Sequence, residues 1–422
     1  VTPTTPPSPA APTPPPGATV PAPTRPRIAP PLSAAQWLLV ACGIGLGFTV
    51  WALVVNYRLA AHGFLMDLQV FQDAARAFRT DGPLFEGFYS RSGFGFIYPP
   101  FAALVMSPLA YVPQTPLRLA WNFGQVVCVF IIVSAGLALG GFGRRTAMFL
   151  GLCLLGVALS AEPIDNGMGF GQIDTYLAML VIADVAGVLP HRLRGLGVGL
   201  AAGIKVTPAA FGLVFLIRRD WAAAARAVAM GLVTLIVGWL VRAEDSLHFW
   251  TVEMWNTDRA GQKDFFRNQA LSGLIAREIA DPNSTLFLVL WGAGVVLLGG
   301  LGLWAMVTYS RKGHPLLSLA MFVFMLCLLQ PYAVTHHWAV LVLWVPVVVT
   351  LFADKARLRW WALAFGLVQW WGPNHLLDPD KGYAAWQHAL GESQSVTLII
   401  ATVVLALAAR GVADRHPADR RY

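Results

Sequence analysis

Long apolar runs alternate with short polar and basic intervals along most of this chain. A bilayer crossing takes about 20 predominantly apolar residues. Between Ala34 and Arg410 the pattern predicts ten crossings, at about 36–55, 119–140, 146–160, 174–189, 226–241, 285–308, 316–334, 338–353, 358–372 and 393–410. Two more apolar stretches are expected at the membrane without a net crossing. Tyr98 to Val112 is short and bounded by Pro99-Pro100 and Pro113, which predicts a re-entrant or interfacial helix. The stretch from about Gly195 to Ile217 contains Lys205 and Pro208 and has basic residues at both ends, which predicts two half-helices around Lys205. Irregular backbone at membrane depth is tolerated only where it is buried or lines a cavity.

The flanks differ from this pattern. Residues 1–32 are rich in Pro, Thr and Ala, with no apolar core and no cleavage-site signature, and are expected to form a disordered cytoplasmic tail. Residues 33–411 form one transmembrane domain, and 412–422 a second cytoplasmic tail.

Composition agrees with the pattern: 56% hydrophobic and 12% charged residues, with mean hydropathy +0.60. Soluble domains carry roughly 25% charged residues, so a water-facing surface cannot be built from this chain. The net charge of +8 does not point to nucleic acid, because the basic residues sit in short clusters between apolar runs. These are Arg144-Arg145, His191 to Arg194, Arg218-Arg219, Arg311-Lys312, Lys355 to Arg359 and Arg415 to Arg421. Such clustering is the positive-inside signature of cytoplasmic loops. Cys42, Cys128, Cys153 and Cys327 all lie within apolar runs and read as buried thiols rather than disulfides or metal ligands.

With the basic clusters on one side, the polar segments 56–98, 162–174, 242–283 and the His336-His337 turn fall on the other. Asp67 opens an amphipathic stretch, Leu68 to Phe78, where it could cap a helix or serve a reaction. His336 and His337 stand beside Tyr332, Thr335 and Trp338; neighbouring residues of a helix point to different sides, so one of the two is expected to face a site. Glu162 to Asp174 reads as a glycine-rich turn opening a helix, either a plain connection or a phosphate cradle. Lys205 requires an anionic partner, a carboxylate or a ligand phosphate. No HExxH or CxxC pattern occurs. A secondary transporter would also use broken helices and intramembrane charge, but it predicts inverted repeats, which the sequence does not contain, and midplane polar residues. A non-catalytic scaffold or lipid flippase is a further alternative.

Six short motifs occur in order: Met66-Asp67-Leu68-Gln69-Val70-Phe71, Phe96-Ile97-Tyr98-Pro99-Pro100-Phe101-Ala102-Ala103-Leu104, Gly171-Gln172-Ile173-Asp174, Ala202-Gly203-Ile204-Lys205-Val206-Thr207-Pro208, Asn268-Gln269-Ala270-Leu271-Ser272-Gly273 and Thr335-His336-His337-Trp338. Together they resemble the membrane glycosyltransferases of the GT-C type, and within them the polyprenol-phosphate-mannose-dependent mannosyltransferases of family 87. Asp174 stands where that family usually carries Asn. The resemblance implies an all-α polytopic enzyme in the plasma (inner) membrane, with about 10–13 membrane helices including short ones and its active site on the periplasmic side. It also implies inverting transfer of mannose from a lipid-linked phosphate donor to a phosphatidylinositol mannoside, in α-1,2 linkage. Lipomannan-type and arabinose transfer belong to related members. The expected catalytic residues are Asp67 as base with His336 or His337. Lys205, Gln172, Asp174, Tyr98, Asn268, Gln269, Tyr332 and Trp338 are expected to bind substrate, and Trp255 could add a sugar-facing surface. No metal or other cofactor is expected; the partners are the lipid donor and glycolipid acceptor, and a monomer is expected to suffice.

Overall fold

In the computed structural model, which describes residues 34–256, 261–279, 281–377 and 384–414, each of the ten predicted crossings falls on a helix. The helices of the first half are α1 (Ala34–His62), α2 (Met66–Arg79), α3 (Pro100–Met106), α4 (Gln114–Leu139), α5 (Arg144–Leu159), α6 (Glu162–Phe170), α7 (Asp174–Val185), α8 (Leu196–Ile204) and α9 (Gly212–Ile217). The second half holds α10 (Trp221–Val241), α11 (Ala243–Thr251), α12 (Leu271–Glu278), α13 (Thr285–Arg311), α14 (Pro315–Leu329), α15 (Trp344–Ala353), α16 (Arg359–Trp371), α17 (Ala385–Gly391) and α18 (Ser393–Gly411). Two compact units divide the chain, Val1–Ala41 and Cys42–Tyr422. The described part of the first is the opening of α1, and the second holds the helical bundle. The tail expected at 1–32 and the cluster Arg415 to Arg421 lie outside the described residues.

Five helices are long and apolar enough to span a bilayer: Leu39–His62 within α1, then α4, α10, α13 and α18. A sixth span results if α5 and α6, bent by 71° where they meet, count as one. The protein is therefore an all-α multi-pass membrane protein. Other expected crossings are short helices: α7 has 12 residues and α14 has 15, fewer than the hydrophobic pattern suggests, and α16 has 13, close to its expected bounds. At 1.5 Å per residue they reach about 18–23 Å, less than the roughly 30 Å hydrocarbon core. Their ends explain the shortfall, since Gly187 and Gly372 take positive φ after α7 and α16 and Pro331 follows α14.

The two segments expected not to cross are both built of short, interrupted helices. Pro99-Pro100 start α3, where a proline's fixed φ suits the first helical turn, and a 3₁₀ turn at Ser107–Tyr111 completes it. In the other segment, α8 stops at Ile204, Lys205 is extended (φ −144°, ψ 132°), and helix resumes at Thr207.

α14 is the hub of the bundle, with all but three of its residues buried. By contrast only 17%, 17% and 11% of the apolar windows of α1, α10 and α13 are covered by protein. Their outward Leu, Val and Trp side chains would be a liability in water but match lipid. The basic clusters gather at one end. Arg218 donates to the Val185 carbonyl, Arg226 to the carbonyls of Arg194 and His191, and Lys312 to those of Ala409, Arg410 and Val412. The opposite end carries α2, α3, α6, α11, α12 and the Thr335–His337 turn. There Gln72 donates to the carbonyls of Leu109 and Val112 at 3.1 and 2.7 Å, fixing α2 against the Ser107–Tyr111 turn. Cys128, Cys153 and Cys327 are buried free thiols, and Cys42 is half-buried and free.

Candidate active site

At that opposite end lies a cavity of about 560 Å³ lined by residues of α2, the 85–98 loop, α6, the 253–267 segment and the 332–337 turn. Its chemistry begins at Asp67, in the first turn of α2. The helix starts at Leu65, held in the left-handed region (φ 47°, ψ 68°), and no side chain caps it. Asp67 is thus not the capping group that its position allows. Its Oδ2 instead accepts a hydrogen bond of 2.8 Å from Gln172 Nε2. Gly171 (φ +73°) makes this approach possible, because a Cβ there would press on Leu68 and Leu65. Burial, reinforced by the negative charge of Asp174, raises the Asp67 carboxyl to about 7 against the pull of Lys205 and Gln172. A group at that value can take up a proton near neutral pH.

Lys205 finds its anion within the protein. Its Nζ donates to both oxygens of Asp174, at 2.8 and 3.0 Å, and lies 5.8 Å from the centre of the Tyr98 ring. Lys205 and Asp174 line a narrow space that shares His337 with the main cavity, but neither lines the main cavity itself. Both were expected to bind substrate; the pair stands behind the wall of the main cavity, where its charges act on Asp67. Tyr98 does line the cavity, packed edge-on against Phe71 at 5.4 Å between centroids. Burial and the charges of Asp174 and Asp67 hold its hydroxyl protonated.

His336 and His337 both reach the cavity. The expectation that only one would do so does not hold, since the cavity is wide enough to take both side chains of the Thr335–His337 turn in its wall. The rings meet edge to face at 4.8 Å, and His336 packs on Phe170 at 4.9 Å. Burial first, then the neighbouring His337 for His336 and Lys205 for both, holds the imidazoles well below the usual histidine range. They are neutral hydrogen-bonding groups, and the Nδ1 of His336 has no hydrogen-bond partner.

Four other residues expected at the substrate lie outside the cavity wall. Asn268 and Gln269 are fully buried and outside the cavity wall. Asn268 Oδ1 accepts from the Ala333 N–H at 3.1 Å, and the Gln269 N–H donates to the Ala333 carbonyl at 3.1 Å, so the two residues clamp their loop to the histidine-bearing segment. Trp338 is fully buried in the core behind its neighbours. Trp255 is 69% exposed and also outside the wall. Tyr332 does line the cavity, its hydroxyl raised to about 12 by burial. The Glu162–Asp174 segment is mostly helix, α6, with the turn confined to residues 171–173.

Sequence reasoning missed three charged residues, of which Glu253 lines the cavity and meets His248 Nε2 at 3.2 Å. Arg267 lines the cavity and donates to Asn166 Oδ1 at 3.1 Å; its one sequence signal is adjacency to the Asn268-Gln269 motif. Glu162 is buried behind the site, accepting from Thr335 Oγ1 (2.6 Å), Asn166 (3.2 Å), Asn374 (3.2 Å) and Gln394 (3.3 Å). It thus holds the histidine turn on one side and, through Asn166, Arg267 on the other. A group of ligand-type side chains, Glu278, His388 and Glu392, lies outside this cavity, and its Glu392 is already paired with Arg277 through two hydrogen bonds.

The fold and this site define a multi-pass membrane protein in which the carboxylates of Asp67 and Glu253, two neutral imidazoles and an arginine line one cavity. Residues 96–331 match the family model of glycosyltransferase family 87, and the chain belongs to that family. Over 396 residues it is 31% identical to a polyprenol-phosphate-mannose-dependent α-(1-2)-phosphatidylinositol mannoside mannosyltransferase of Mycobacterium tuberculosis, covering 88% of this chain and 89% of that one. A phosphatidylinositol pentamannoside mannosyltransferase of Mycolicibacterium smegmatis, likewise polyprenol-phosphate-mannose-dependent, is 31% identical over 69% of this chain and 70% of its own. An α-(1→3)-arabinofuranosyltransferase of M. tuberculosis is 25% identical over 52% of this chain and 50% of its own. Among solved structures, ArnT from Cupriavidus metallidurans bound to undecaprenyl phosphate gives a TM-score of 0.45 at 16% identity, covering 90% of this chain and 73% of that one.

Proposed function

We propose that the protein transfers mannose from a polyprenyl-phosphate donor to a phosphatidylinositol mannoside, in α-1,2 linkage and with inversion, at the periplasmic face of the plasma membrane. The observation that carries the reading is the Asp67 carboxyl, held near 7 in a cavity that also presents His336, His337 and Arg267. The names of the relatives support the donor, acceptor and linkage, and the gathering of basic clusters at the other end of the bundle supports the orientation.

In this reading the acceptor hydroxyl oxygen attacks the anomeric carbon from the side opposite the phosphate. Its proton passes to Asp67, the bond from carbon to phosphate oxygen breaks with its electron pair, and polyprenyl phosphate leaves. A β-linked donor then yields an α-linked product in one displacement through an oxocarbenium-like state. Gln172 orients the Asp67 carboxylate. Arg267 supplies positive charge to the departing phosphate, and the neutral histidines donate hydrogen bonds to it. Lys205, held by Asp174, acts on Asp67 through its field. A phosphate leaving group stabilised in this way requires no divalent cation.

The test is transfer of labelled mannose by the purified protein, with and without chelator. Asp67→Asn should lower kcat by at least about 100-fold, the lower range for a general base, and chelator should leave the wild-type rate unchanged. Full activity in Asp67→Asn would remove Asp67 as the base, and loss of activity in chelator would overturn the metal-independent mechanism.

A further inference from the structure

A second cavity, of about 240 Å³, adjoins the first, and Tyr332 lines both. Phe287 and Trp291, one turn apart on α13, form one wall, with their rings nearly parallel (11°) at 6.4 Å. The indole N–H of Trp291 is buried without a hydrogen-bond partner. A buried donor of this kind is destabilising until an acceptor reaches it. Lys263 also lines this space, its ammonium 5.1 Å from the Phe287 ring centre. It donates to Asn283 Oδ1 at 2.8 Å and to the Pro282 carbonyl at 3.4 Å. Both acceptors are neutral, and among the described residues no carboxylate forms an ion pair with Lys263. Leu286, Leu288 and Val289 of the same helix are 57%, 57% and 60% exposed, which puts the cavity at the edge of the lipid-facing surface.

We propose that this cavity is the acceptor subsite, built for a sugar carried on a phosphodiester-linked lipid. Its acyl chains lie along the outer face of α13, its phosphodiester pairs with Lys263, and a sugar rests against Phe287 and Trp291 with a hydroxyl or ring oxygen accepting from the indole. The end of the glycan passes Tyr332 toward Asp67. Each feature answers one part of that ligand: a cation for the phosphate, aromatic faces for the sugar, and open apolar surface for the chains. The inference deepens the mannosyltransferase reading and rests on it.

Steady-state kinetics of the purified full chain, with donor and phosphatidylinositol mannoside varied in turn, tests it. Lys263→Gln and Trp291→Phe should each raise the acceptor KM about tenfold, equivalent to about 1.4 kcal/mol, while the donor KM stays at the wild-type value. Lys263→Arg should restore most of the acceptor affinity. A rise in donor KM instead would assign the cavity to the donor and overturn the proposal, as would an unchanged acceptor KM in both variants. The unchanged donor KM also guards against misfolding as the cause. If the wild type transfers no mannose, the parent reading fails by itself. Binding to vesicles containing phosphatidylinositol mannoside, compared between wild type and Lys263→Gln, then still tests the cavity: weaker binding by the variant supports it, and equal binding overturns it.

Discussion

The carboxyl of Asp67 exchanges its proton close to neutral pH because burial and the charge of Asp174 outweigh the attraction of Lys205 and the hydrogen bond from Gln172. A base works only when ionised, so kcat/KM should rise with pH through about 7. Asp174→Asn removes a like charge and leaves the Lys205 ammonium uncompensated, and both changes favour the ionised form of Asp67. The acid limb of the pH profile should therefore move to lower pH, which a pH–rate series on wild type and variant would read directly; a shift to higher pH, or none, would refute the coupling. At this scale the sequence was informative where chemistry forces an oddity into view. Asp67 directly after a crossing and Lys205 within an apolar run are such oddities. Arg267 is an ordinary basic residue in a polar loop, and only the fold turns it toward the cavity.

The turn bearing the two histidines is kept in place by hydrogen bonds to residues far away in the chain. Glu162 meets Thr335 across 173 positions, Asn374 across 212 and Gln394 across 232, separations that no local pattern encodes. The half-helices around Lys205 were legible, since a charge and a proline interrupt an apolar run, and so was the length of α16; the shortness of α7 and α14 was not, because hydrophobicity continues past their glycine and proline ends. Gly372 gives an indirect test of the Glu162 network. It takes φ +63°, and a Cβ there would collide with the Glu162 side chain. Gly372→Ala should cost about 1–2 kcal/mol in backbone strain alone and displace Glu162, lowering the melting temperature and reducing kcat without touching a residue of the cavity wall. An unaltered kcat alongside a lowered melting temperature would show that the histidine turn does not depend on Glu162.

Across the whole molecule, polar chemistry and basic clusters occupy opposite ends of the bundle, and hydrophobic periodicity together with charge placement was enough to foresee that division. It predicts labelling from opposite sides. A cysteine placed at Tyr89, which is 80% exposed, should react with a membrane-impermeant thiol reagent added outside intact cells. One placed at Arg219 should react only after the membrane is opened. Reaction of both from the same side would invert or collapse the topology.

The bare apolar flanks of α1, α10 and α13 also bear on how turnover should be measured. If donor and acceptor are both lipids, they reach the enzyme by lateral diffusion, and the search takes place in two dimensions. Velocity should then follow the mole fraction of donor within the bilayer rather than its amount per volume of solution. Adding inert phospholipid at constant total donor should slow the reaction in proportion to the dilution, and a velocity indifferent to that dilution would mean that the substrates arrive through water.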